Sequence, residues 1–137
     1  MNQDIITYPS LFDSNVDITL IFKENEKYNL LEKVFEEYGF GFYSPKHNTI
    51  IIDGEIFVEN DELNMDDLRF IEAHEISHLI MNHDGPRSDD DEMDADLGAY
   101  ILLKKHGLDT SRIEEVFEER HGVEFSENLL GRVENFY

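Results

Sequence analysis

The sequence predicts one α+β domain, with strands mostly in its first half and helices mostly in its second. Three observations carry this. β-Branched and aromatic runs cluster ahead of Asn60, amphipathic stretches with helix-capping residues follow from Met65, and no low-complexity linker separates the two regions. A chain of 137 residues has the usual size of one domain, and 40% apolar with 12% aromatic residues is enough for a core, so a single domain over 1–137 is expected.

The segment DITLIFKE (17–24) alternates and is rich in β-formers, which predicts a strand. In KYNLLEKVFEEYGF, Leu30, Leu31, Val34 and Phe35 fall at helical spacing and Gly39 supplies a terminator. Two β-rich runs then flank Asp53-Gly54, a strong hairpin signal, and a small antiparallel sheet is expected. From Met65 the run MDDLRFIEAHEISHLIMNH reads as a long helix, capped by Asn64 or Asp66 and stopped by Gly85-Pro86. The helix EMDADLGAYILLKKHG follows closely, with Asp89 to Asp91 suiting its positive start and Lys104, Lys105 and His106 its end. Two further helices are expected, TSRIEEVFEERHG with Ser111 and Glu114 at capping-box spacing, and SENLLGRVENFY.

Composition narrows the chemistry. Cysteine is absent from the sequence, which excludes disulfides and thiolate ligands, so any metal must be held by His, Asp or Glu. A formal charge of −21 disfavours nucleic acid and anionic membranes as partners and favours basic ones. No apolar run approaches the length of a membrane span, and MNQDIITYPSLFDSN lacks the regions of a secretory signal; a soluble cytoplasmic protein is expected.

Within EAHEISHLIMNH, His74 and His78 lie about 40° apart around a helix and about 6 Å apart along it, so both imidazoles can reach one ion. In an H-E-x-x-H helix the two histidines coordinate zinc, and the intervening glutamate, here Glu75, reaches a water molecule rather than the metal. Apolar residues almost surround this helix, which predicts burial, and buried His and Glu need partners. A third ligand is expected from the next helix: Glu92 and Asp96, four apart, share a face, so Glu92 can bind the ion while Asp96 orients a ligand imidazole. His83 is a rival, but on a continuing helix it would lie about 140° from His78. Asp91 and Asp94 face away from Glu92 and read as solvated helix-start charge. Tyr100, four residues past Asp96, is a candidate oxyanion donor by spacing and a core residue by composition. Tyr43, His47, Arg87, His106 and His121 are not ranked; Arg87 is expected beside Asp89 to Asp91, and His106 as a helix-end cation.

These residues resemble the ImmA/IrrE-type metallopeptidases. Arg69, Phe70, Ala73, His74, Glu75, His78, Glu92, Ala95, Asp96, Ala99, Leu102 and Leu103 match the family pattern, while Ser77 stands where glycine is frequent there and Gly98 where phenylalanine is. The Glu92-to-Asp96 spacing is also similar to the wider gluzincin arrangement. The resemblance covers about 40 residues and implies a zincin-like fold, one Zn²⁺ per chain and proteolysis, often of a regulatory protein. The expected reaction is peptide-bond hydrolysis in a protein or peptide substrate, a basic one among the candidates, with the peptide laid along an edge strand at 48–53 or its hairpin partner. Two other classes stay open: an inactive metal-binding interaction module, and an acidic DNA-mimic decoy that occupies a basic protein.

Overall fold

The computed structural model describes residues 4–83 and 87–137, and the chain divides into two compact units, Met1–Leu68 and Arg69–Tyr137. The first is built on a four-stranded sheet of β1 (Ile5–Pro9), β2 (Asp17–Ile21), β3 (Gly41–Ser44) and β4 (Thr49–Asp53), in the order β1-β2-β4-β3. Helix α1 (Tyr28–Tyr38) lies between β2 and β3 in sequence. β2 and β4 are parallel while both outer pairings are antiparallel, so the sheet is mixed rather than antiparallel as expected. The reason is the connection: β2 and β4 are joined through α1 and β3 instead of a tight turn, and the β3–β4 hairpin reverses the chain so that β4 runs parallel beside β2.

Alternation along β2 and β4 places Ile18 opposite Ile50 and Leu20 opposite Ile52, all four fully buried. On the α1 side, Ile21, Tyr28 and Phe35 form a cluster with Leu31, Phe42 and Ile51 packed against it. Leu30, expected on the apolar face of α1, is 75% exposed; Tyr28 takes its place, anchored by its hydroxyl, which donates to Asp53 Oδ1 at 3.0 Å.

Asp53-Gly54 does not turn a hairpin. The Asp53 side chain accepts from the Glu55 N–H and caps a 3-10 turn, Gly54–Phe57. A two-strand hairpin does follow, β5 (Val58–Glu59) with β6 (Glu62–Leu63), and its loop residues Asn60 and Asp61 have φ of 51° and 65°, the left-handed pair that such a short turn demands. β4 is consequently an inner strand, flanked by β2 and β3, and offers no free edge to a peptide. β1, which the sequence reading left unassigned, is an outer strand.

Helix α2 (Met65–Ile80) opens with Asn64 Oδ1 accepting from the Asp67 N–H at 3.1 Å. It ends earlier than predicted. Asn82 adopts φ 57°, its N–H donates to the Leu79 carbonyl, and the His83 N–H donates to the His78 carbonyl, a Schellman termination with asparagine in the left-handed position. The predicted stop at Gly85-Pro86 lies outside the described residues.

In the second unit, α3 (Asp89–Lys105) begins at a capping box formed by Ser88 and Asp91, and α4 (Ser111–His121) ends at Gly122 with φ 76°. The capping box expected at Ser111 and Glu114 is absent: Thr110 is the residue before α4 and makes no side-chain cap. Residues 126–137, predicted as a helix, form two 3-10 segments, Glu127–Arg132, which Ser126 caps, and Glu134–Phe136. Among the described residues no helix is long and apolar enough to cross a membrane.

Replacing Leu20 by alanine removes a fully buried side chain from the sheet. The expected result is a loss of about 2–5 kcal/mol in unfolding free energy, measured by chemical denaturation.

Candidate metal centre

The capping box at Ser88 fixes where α3 starts and so places Glu92 one turn into it. Across from it, α2 presents His74 and His78 one turn apart, their Nε2 atoms separated by 3.1 Å. Glu92 Oε2 lies 3.2 Å from His74 Nε2, and Oε1 lies 3.2 Å from His78 Nε2. The three predicted ligands are thus brought together, with ligand atoms all within 4.8 Å of one another, as a group that could hold a metal ion. Their spacing fits one: bonds of about 2.0 Å to a tetrahedral ion put neighbouring donors about 3.3 Å apart.

The outer nitrogens of both imidazoles are also held. His74 Nδ1 donates to Asp96 Oδ1 at 2.7 Å, as the spacing predicts. Asp96 is almost fully buried and accepts from two further side chains that the sequence did not rank or single out, His121 Nε2 at 2.5 Å and Arg120 Nε at 2.8 Å. Both stand at the end of α4, where basic residues look like ordinary helix-end charge, so no local signal marks them.

His78 Nδ1 lies 2.9 Å from His83 Nδ1, and His83 Nε2 faces Asp91 Oδ1 at 3.5 Å. The expectation that His83 points elsewhere rested on a continuing helix. The left-handed turn at Asn82 instead folds His83 back over His78, outside the ligand group. Asp91, expected to be solvated, both closes the capping box and faces His83. Asp94 does face away from Glu92, but accepts from Arg132 Nε at 2.8 Å.

Glu75 is buried and its carboxylate meets Arg87 Nη1 at 3.4 Å, so Arg87 reaches into the site rather than toward Asp89 to Asp91. Tyr100 is buried, accepts from Lys104 Nζ at 3.5 Å and packs on Phe125 at 4.7 Å between ring centres; these contacts serve the core of α3. Tyr43 donates to Asn48 Oδ1 in the first unit, Thr49 Oγ1 donates to the His47 carbonyl there, and His106 Nδ1 lies 2.9 Å from the Leu102 carbonyl at the end of α3.

Electrostatics divides the two imidazoles. Burial pulls His74 down, but its hydrogen bonds to Asp96 and Glu92 outweigh this and hold it up at about 10. Burial, set against its bond to Glu92, lowers His78 to about 4. A metal-free site therefore keeps a proton on His74 and a neutral imidazole at His78. Burial raises Glu75, opposed by the charges of His74 and Arg87. Glu92 and Asp96 are held well below the usual carboxylate range: the desolvation that would raise each is overcome by hydrogen bonds, from His74 and His78 at Glu92, and from His121 and His74 at Asp96. The Glu92 side chain is 37% exposed, and beside it opens a cleft of about 450 Å³ lined by Asp89, Asp90, Glu92, Met93, Arg120 and His121. One side of the ligand group is accessible to a small molecule or a side chain.

Comparison of this chain with protein families, curated proteins and solved structures returned no match.

Asp96→Asn is expected to weaken divalent-cation binding about 10- to 100-fold in a chelator competition titration, because the amide cannot accept from all three donors at once. The His74 proton gives a second outcome. Since its value is raised from 6.5 to about 10, the proton is present at pH 7 and must leave when a cation takes Nε2. Binding should release about one proton per ion, and affinity should rise about tenfold per pH unit through neutrality, read by calorimetry in buffers of different ionisation enthalpy.

Proposed function

We propose that this protein is a zinc-dependent metallopeptidase, acting on a peptide segment of basic character in a protein substrate. The observation that carries this reading is the combination of a ligand-spaced His74, His78 and Glu92 group with a buried carboxylate, Glu75, that belongs to the same helix but not to the group. A metal held only for structure needs the ligands and has no use for Glu75.

Two imidazole nitrogens and a carboxylate oxygen suit zinc and other first-row divalent ions, and zinc is favoured by the tetrahedral donor spacing. When bound, the ion supplies Lewis acidity toward water and a peptide carbonyl. Asp96 fixes the ring of His74 so that Nε2 faces the site, and His83 does the same for His78. Glu75 is the general base: it removes a proton from water as the water adds to the scissile carbonyl, and delivers that proton to the departing amine. Burial raises its proton affinity, which suits a group that must both take and return a proton. Arg87, 3.4 Å from that carboxylate, is the cation that offsets its charge in the buried site. The cleft beside Glu92 gives a substrate side chain a place to lie, and the three carboxylates in its lining, Asp89, Asp90 and Glu92, favour a basic one.

The resemblance to ImmA/IrrE-type peptidases supports the same assignment on the residues matched above. An acidic decoy would instead work through surface charge and would bind a basic protein equally well without metal.

Glu75→Gln decides between an enzyme and a metal-binding module. The variant should keep its zinc stoichiometry and lose peptide cleavage by about 10²- to 10⁴-fold, followed by mass spectrometry of a basic peptide library. A parent chain that binds zinc and cleaves nothing in that library would sink the peptidase reading while leaving the ligand group intact.

A further inference from the structure

Between α2 and α3, next to the ligand-bearing residues, sits a side chain from far along the sequence. The Tyr137 hydroxyl donates to Ser77 Oγ at 2.8 Å. Ser77 is fully buried and directly precedes His78; on the facing helix, Gly98 lies two residues past Asp96. A Cβ added at Gly98 would stand 2.1 Å from the Tyr137 hydroxyl oxygen, 2.6 Å from Ser77 Oγ and 2.9 Å from Ser77 Cβ, so the absence of a side chain there admits both the phenol and Ser77. Gly98 in the middle of a helix costs about 1 kcal/mol against alanine, and a steric requirement of this kind accounts for its presence.

The segment that carries Tyr137 is fastened along α3 at several points. Lys105 Nζ donates to the Tyr137 carbonyl at 2.7 Å and stands 5.9 Å from the centre of its ring. Arg132 Nε donates to Asp94 Oδ1 at 2.8 Å, Lys104 lies 3.7 Å from Glu127, and Val133 is fully buried. Placement of the phenol is therefore set by the backbone of 127–137 and not by the tyrosine alone.

The geometry points to Tyr137 as a positioning residue for the metal centre: its phenol, seated between Ser77 and Gly98, sets the spacing of α2 and α3 and with it the distance from Glu92 to the two imidazoles. The physical reason is tolerance. His74 and His78 ride on α2 and Glu92 on α3, so a change in helix spacing passes directly into the 3.2 Å separations between Glu92 and each Nε2. Ligand distances must hold to about 0.2 Å for a site to keep its affinity. Removing the phenol would leave a void at the helix crossing and strip Ser77 of its partner, and both losses drive the helices to resettle. Nothing in this requires the site to be a peptidase; it rests only on the ligand group of the proposed function.

The test is zinc affinity of the folded protein, by chelator competition well below the unfolding temperature, together with the visible spectrum of the cobalt-substituted form. Tyr137→Ala should weaken zinc about tenfold or more and shift the cobalt bands, with Tyr137→Phe intermediate because it keeps the ring and loses the bond to Ser77. Gly98→Ala, which crowds both the phenol and Ser77, should weaken zinc at least as much as Tyr137→Ala. Unchanged zinc affinity and cobalt bands in Tyr137→Ala, with only lower thermal stability, would overturn the proposal and leave the ligand group standing, whatever Gly98→Ala does. If Tyr137→Ala does not fold, Tyr137→Phe decides: a severalfold weaker affinity supports the role and a value equal to the parent removes it. A parent chain without stoichiometric zinc ends both this proposal and the ligand assignment.

Discussion

The second unit is organised around one buried carboxylate. Asp96 takes N–H groups from His74 on α2 and from Arg120 and His121 on α4, so three helices converge on two oxygen atoms. An ionised carboxylate with almost no solvent contact is tolerable only when its lone pairs are occupied, and losing one charged partner of such a pair costs about 3–5 kcal/mol. That constraint favours one setting of the His74 ring, because a rotated imidazole would take from Asp96 one of its three donor side chains. Orientation of the ring then follows from the solvation of the carboxylate and needs no metal to enforce it.

The second imidazole is held by a different device. His78 has no carboxylate behind it; its outer nitrogen meets His83, which reaches that place because the helix stops in a left-handed turn at Asn82. A carboxylate behind an imidazole raises its basicity, and only His74 has one behind it, so His74 is the stronger donor and the stronger competitor for a proton. The two rings shift in opposite directions: burial takes His78 down, while at His74 the bonds to Asp96 and Glu92 outweigh burial. This asymmetry lets a site of two histidines and one glutamate stay intact without an ion: one proton on His74 satisfies Asp96 and Glu92 together and leaves His78 neutral.

What the sequence makes legible is what depends on neighbours a few residues apart. His74, His78, Glu92 and Asp96 follow from helical spacing, and the strand at Asp17–Ile21 and helix at Tyr28–Tyr38 follow from local apolar patterns. Partners brought together across the fold leave no such mark. Arg120 and His121 lie 24 and 25 residues from Asp96, and Tyr137 lies 60 from Ser77. Local chemistry misleads when a residue has two competent uses: Asp53 before glycine suits a hairpin turn and also caps a 3-10 turn, and Asn82 looks like helix interior until its φ of 57° ends the helix. Ser77 and Gly98, which depart from the family pattern one at a time, become a matched pair once Tyr137 is seen between them.

A strongly acidic chain must still decide where its few cations go. Eleven basic residues face 32 acidic ones, and several of the arginines are committed to carboxylates of the second unit: Arg87 to Glu75, Arg120 to Asp96, Arg132 to Asp94. Glu75 and Asp96 are buried, which is where an unpaired negative charge is most costly, while the surplus acids remain on the surface where water screens them. Bulk charge and local charge thus answer to different demands. The surface is acidic all the same, so a basic partner would be drawn by long-range attraction whatever it does on arrival. The proposed hydrolysis therefore rests on the interior, where a carboxylate outside the ligand group is kept beside an arginine, and not on the charged surface.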